Sequence, residues 1–115
     1  MSKNYNDEEL YALGRRAVAC KGWRWLGGMK ALNSFRVVES VVPMMFPVDT
    51  PDLTDPATLG CLLALVREAW KEPRAWCEWD RTIARWGVYS GSGVNARSIC
   101  ATEAEALVHA LEIAP

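Results

Sequence analysis

Little in this chain is suited to covalent chemistry. Its one histidine, His109, falls between Glu105 and Glu112 in a C-terminal helical pattern, on the side away from the leucines. A solvent-facing imidazole is expected there, and no Ser–His–Asp or Cys–His arrangement can be built around it. No catalytic residue and no cofactor is expected. Basic excess is missing as well. Thirteen lysines and arginines stand against fourteen acids, a formal net charge of −1. This excludes the basic stripe that non-specific nucleic-acid binding needs, and equally the acidic surface of a DNA mimic. No apolar run approaches the roughly 18 residues of a membrane span. The polar stretch from Ser2 to Glu9 has no signal-peptide character. The cysteines Cys20, Cys61, Cys77 and Cys100 are spaced too widely for a zinc knuckle, so no metal site is expected. All four read as reduced thiols of a cytoplasmic protein, Cys61 as a small hydrophobe within an apolar helix.

What remains is a chain of 115 residues, half of them apolar, which fits one domain over residues 1–115 that folds without staples. Asn6 and Glu9 have capping-box spacing, and Leu10, Leu13, Gly14, Ala17 and Val18 continue a helix that Gly22 can stop. Trp23 and Trp25 are two apart and share one face of an expected strand, with a turn at Gly27 and Gly28. A strand is predicted from Phe35 to Val42, then an edge or irregular segment at Met44 to Phe46 between two prolines. After a loop from Val48 to Thr54, Asp55 and Pro56 open a second helix. Leu59, Leu62, Leu63, Val66 and Trp70 form its stripe, and Pro73 lies beyond it. Gly60 is out of place in a helix, and close packing against a strand is the expected reason. Strands are predicted at Trp76–Arg81 and Ile83–Ser90, with a short one at Arg97–Cys100. Thr102 and Glu105 then cap a final helix. The pattern predicts an α+β domain, an antiparallel sheet with three helices packed on it, in the order α-ββ(β)-α-ββ(β)-α.

The densest feature is tryptophan. Six occur, at 23, 25, 70, 76, 79 and 86, with arginines interleaved. That is more flat side chain than so small an interior readily holds, so some indoles are expected in a pocket or an interface. Trp23, Arg24 and Trp25 beside the glycine turn are the first candidates for a ligand site. The indoles would stack on a base and the guanidinium would pair with phosphate. Trp76, Trp79, Arg81 and Arg85 are the second candidates. Trp76 and Trp79 are three apart and face opposite ways on a regular strand, and a tryptophan beside arginines is the composition of a binding hot spot. A core role for Trp23 and Trp25, and a dimer interface for the second cluster, stand as the alternatives. The loop from Ser90 to Arg97 could offer backbone amides to an anion but lacks the lysine and spacing of a P-loop, and a mobile hairpin connection is the favoured reading.

Three blocks carry a resemblance: Arg16 to Trp25 with Gly28-Met29, Pro51 to Trp70, and Thr102 to Val108. Together they resemble a family of small tailed-phage and prophage accessory proteins, mostly uncharacterised. The family's usual Pro-Gly-Met is here Gly27-Gly28-Met29. The resemblance implies an anti-defence protein working in the host cytoplasm. Two functions are then expected of a non-enzymatic, homo-oligomeric binding protein. One is sequestration of a nucleotide-derived immune signal, a cyclic nucleotide or ADP-ribose-type molecule. The other is inhibition of a host defence protein through the same tryptophans.

Overall fold

The computed structural model describes residues 5–32, 50–90 and 98–115. Among the described residues three helices and a three-stranded antiparallel sheet make an α+β fold that matches the expected order roughly, with no named strand between the first two helices there. Helix α1 (Asp7–Val18) begins as its sequence requires. The Asn6 side chain accepts from the Glu9 amide at 2.8 Å, and Glu9 accepts from the Asn6 amide in return. Helix α2 (Pro56–Trp70) is capped by Asp55, which accepts from both the amide and the hydroxyl of Thr58. It closes at Lys71, whose backbone is left-handed, φ 55°. Helix α3 (Glu103–Glu112) is capped by Thr102, which accepts from the Glu105 amide at 3.1 Å.

Strands β1 (Trp76–Asp80), β2 (Arg85–Tyr89) and β3 (Ser98–Cys100) pair in chain order. Side chains alternate between faces along each strand. The register therefore places Cys77, Trp79, Trp86, Val88, Ser98 and Cys100 on one face. Trp76, Glu78, Asp80, Arg85, Tyr89 and Ile99 share the other. The first face receives α3. Among the described elements, α3 alone makes extensive contact with the sheet, while α1 and α2 pack against α3 from other sides. Ala104, Ala106, Leu107, Val108, Ala110 and Leu111 of α3 are all buried. The core continues into Leu62, Leu65 and Val66 of α2 and Leu13 and Ala17 of α1. Two bonds tie the layers across the core. The Trp70 indole donates to the Ala110 carbonyl at 2.8 Å, and the Lys30 amide donates to the buried Thr58 hydroxyl at 2.9 Å.

The segment with Trp23 and Trp25 is irregular rather than a strand; its one β feature nearby is an isolated antiparallel bridge between Ala31 and Pro51. The glycine turn forms, with the Met29 amide donating to the Leu26 carbonyl and Gly28 at φ +97°. The strand expected at Phe35 to Val42, the Met44 to Phe46 segment and most of the loop from Ser90 to Arg97 lie outside the described residues.

Gly60 corrects another expectation. It is exposed, and among the described residues nothing lies within 4 Å of a Cβ placed on it and no strand packs there. The close approach is at Gly14 of α1 instead. A Cβ there would fall 2.2 Å from Thr50 Cγ2 and 3.2 Å from the Pro51 carbonyl oxygen. The two glycines should respond oppositely to alanine. Gly60→Ala is expected to stabilise by about 0.5–1 kcal/mol through helix propensity. Gly14→Ala is expected to destabilise by about 1–3 kcal/mol through overpacking. Urea unfolding of the two variants checks both signs.

Candidate functional site

The first tryptophan cluster is structural in its contacts. Trp23 and Trp25 meet edge to face, centroids 5.4 Å apart and planes at 83°, and both are half-buried against the core. The Trp23 indole N–H is buried without an acceptor among the described residues. Arg24 points outward and pairs with Glu68 of α2 at 2.6 Å. That bond raises the arginine's pKa and lowers the glutamate's. Trp23, Arg24 and Trp25 therefore do not form a cup around a common space: two indoles pack inward and the guanidinium is engaged by a carboxylate.

The second cluster sits on the hairpin of β1 and β2 and divides between the faces of the sheet, as the three-residue spacing predicts. On the inner face Trp79 lies across from Trp86, centroids 6.1 Å apart, with Trp86 packed against the core. On the outer face Trp76 lies across from Tyr89, and the rings stack at 5.6 Å with planes 24° apart. Tyr89 is laid over Gly87, where a Cβ would fall 2.7 Å from the tyrosine oxygen. The absence of a side chain at Gly87 is what lets the ring lie flat. Its hydroxyl reaches Asp80 at 3.4 Å. Burial pushes the Tyr89 phenol up in pKa, and the charges of Asp80 and Glu78 push it further. Ile99 completes this face and is 48% exposed. Arg81 is exposed in the turn and Arg85 is exposed opposite Asp80.

A cleft of about 250 Å3 opens at the end of the inner face, between the chain before α1, the start of α2, β2 and the start of α3. Tyr5, Leu53, Leu59, Trp86, Glu103 and Ala104 line it. None of the seven candidate residues lines this cleft, and neither Trp86 nor Glu103 stood among them. Tyr5 closes one side by hydrogen bonds to Thr102 and, at 3.3 Å, to Glu105. Burial raises the Glu103 pKa. A second cleft, of about 260 Å3, lies by Lys21, Gly22, Leu111 and Pro115, and the neighbouring Trp23 is not on its wall.

His109 departs from its expected place. It is half-buried, and its Nδ1 lies 3.0 Å from the Ser98 hydroxyl on β3. The helical pattern put it opposite the leucines, but the sheet wraps α3 far enough to reach that side. Ser98 is 3% exposed, and the pair links β3 to α3. The four cysteines are free thiols. Among the described residues no His, Cys, Asp or Glu group could hold a metal ion, and no helix is long and apolar enough to cross a membrane. Protein-family models, curated proteins and solved structures give no match to this chain.

Cys77 lies on the inner face, and its thiol is pushed up to about 12, first by burial and then by the negative charge of Glu103. Two outcomes follow. Iodoacetamide near neutral pH should leave Cys77 unmodified in the native protein and label it in urea, as read by peptide mass mapping. The folded state holds this proton more tightly than the unfolded chain does. Stability contributed by the protonated thiol is therefore complete below the ordinary value of 9.0 and lost as pH rises towards about 12. A urea midpoint that fell over this window in wild type, and less steeply in Cys77→Ala, would fit.

Proposed function

We propose that this chain is a non-enzymatic binding protein that docks on another protein through the outer face of its sheet. The observation that carries the reading is the stacked Trp76–Tyr89 pair on the face that α3 does not cover, beside an isoleucine that is 48% exposed. Aromatic anchors next to exposed aliphatic surface are what interface centres are made of. The charge on this face favours one kind of partner. Glu78 and Asp80 border the aromatic pair, Glu78 is exposed, and neither carboxylate has an ion pair with a cation among the described residues. The complementary surface is a basic segment with an arginine or lysine over the aromatic faces. With the resemblance to phage accessory proteins, a bacterial defence protein in the host cytoplasm is the partner we assign.

Sequestration of a nucleotide-derived signal fits this geometry less well. It needs guanidinium groups free to meet phosphate beside an open indole. Arg24 is engaged by Glu68, and Asp80 and Glu78 share the outer face with Arg85. A second copy of this chain is also disfavoured as the occupant, because self-association through this face would bring the same carboxylates together.

A photo-crosslinker in place of Glu78, used in bacterial lysate, tests the reading together with surface variants. The expected result is one host protein crosslinked at this face, with affinity lost at least about 30-fold in Trp76→Ala and in Ile99→Asp. Circular dichroism should confirm that both variants remain folded. Crosslinks to a second copy, a complex indifferent to both variants, or tight binding of a cyclic dinucleotide that survives Ile99→Asp would overturn it.

A further inference from the structure

We propose that the cleft between the starts of α2 and α3 is a binding site for a primary alkylammonium group. It is separate from the outer face, since Trp86 and the cleft belong to the side of the sheet that carries α3. Three features of the lining fit this class of ligand together. Leu53, Leu59 and Ala104 form an apolar wall for a methylene stem. Trp86 supplies an aromatic surface, which attracts a cation through the negative face of the ring. Glu103 is the single charged side chain on the wall, and its carboxylate makes no hydrogen bond or ion pair among the described residues. A partly buried acid without a partner among the described residues, lining a cleft with an indole, suits a cation as its counter-ion.

The surroundings favour the same sign. Among the described residues no lysine or arginine lines the cleft, and the Tyr5 hydroxyl on its wall also donates to Glu105 at 3.3 Å. The start of α3 contributes the opposing effect, about half a positive charge spread over the helix end. Thr102 already engages the Glu105 amide there. A full negative charge at contact outweighs that residual field. An anionic ligand would meet Glu103 directly, and a neutral alcohol would leave the carboxylate unpaired. The volume of about 250 Å3 admits a butyl-sized stem with its head group.

Titration followed by two-dimensional NMR tests this, reading the Trp86 indole N–H and the Glu103 amide. The probes are butylammonium, Nα-acetyl-lysine methylamide, butanol and butyrate. Butylammonium and the lysine amide should shift both signals saturably; butanol should act more weakly and butyrate should have no effect. A tighter response to the lysine amide identifies a protein side chain as the source, and an equal response identifies a free amine; both are the class proposed. Glu103→Gln should weaken binding at least about tenfold while the remaining spectrum stays that of the folded protein. Affinity should also fall as acid protonates Glu103. Unchanged affinity in Glu103→Gln, or butyrate binding as well as butylammonium, would overturn the proposal. Neither Trp76 nor Ile99 enters this test, so its failure and that of the docking face are distinguishable.

Discussion

The packing of α3 against the sheet and against both other helices organises the molecule. This helix meets every strand of the sheet and also α1 and α2. Its inner residues alternate small with branched, Ala104, Ala106 and Ala110 beside Leu107, Val108 and Leu111. The alanines let neighbouring elements approach closely, and the larger side chains fill the space between them. Everything proposed about function is a consequence of which surfaces α3 covers. It takes one face of a three-stranded sheet and leaves the other to Trp76, Tyr89 and Ile99. Its first turn brings Thr102 and Glu103 against Tyr5 and Trp86, which creates the cleft.

The tryptophans sort themselves by this arrangement. Trp23, Trp25, Trp70 and Trp86 pack against the core, and Trp70 spends its N–H on the backbone of α3. Trp76 and Trp79 are held instead by aromatic partners directly across the hairpin. Pairing of this kind is worth about 0.5–1.5 kcal/mol beyond area buried. It also keeps a ring rigid at a surface, which lowers the entropy lost when a partner binds. The surplus of indole over interior volume therefore reappears as a preorganised aromatic pair on the outer face.

Local signals in the sequence carried much of this fold. The caps at Asn6, Asp55 and Thr102 are legible because each depends on side chains within three residues of one another. The opposite facing of Trp76 and Trp79 follows from strand periodicity alone. What was not legible depends on distant partners. Trp23 and Trp25 have strand spacing, yet no neighbouring strand meets them among the described residues, and packing on the core decides their conformation. The space around Gly14 is taken by Thr50 and Pro51, far away in sequence, while Gly60 faces nothing among the described residues. His109 reads as solvated from its helix, and only β3 supplies Ser98. Glu103 reads as an ordinary first-turn acid. Its place on the wall of a cleft exists only once Tyr5, Leu53 and Trp86 have been brought around it.

Native mass spectrometry of the protein freshly purified from bacteria, alone and with its crosslinked host partner supplied, bears most directly on the claim that this fold grips a protein surface. The expected result is a ligand-free single chain on its own and a one-to-one complex with the partner, without a nucleotide in either. A stable adduct of nucleotide mass on the isolated chain, released intact on heating, would contradict it.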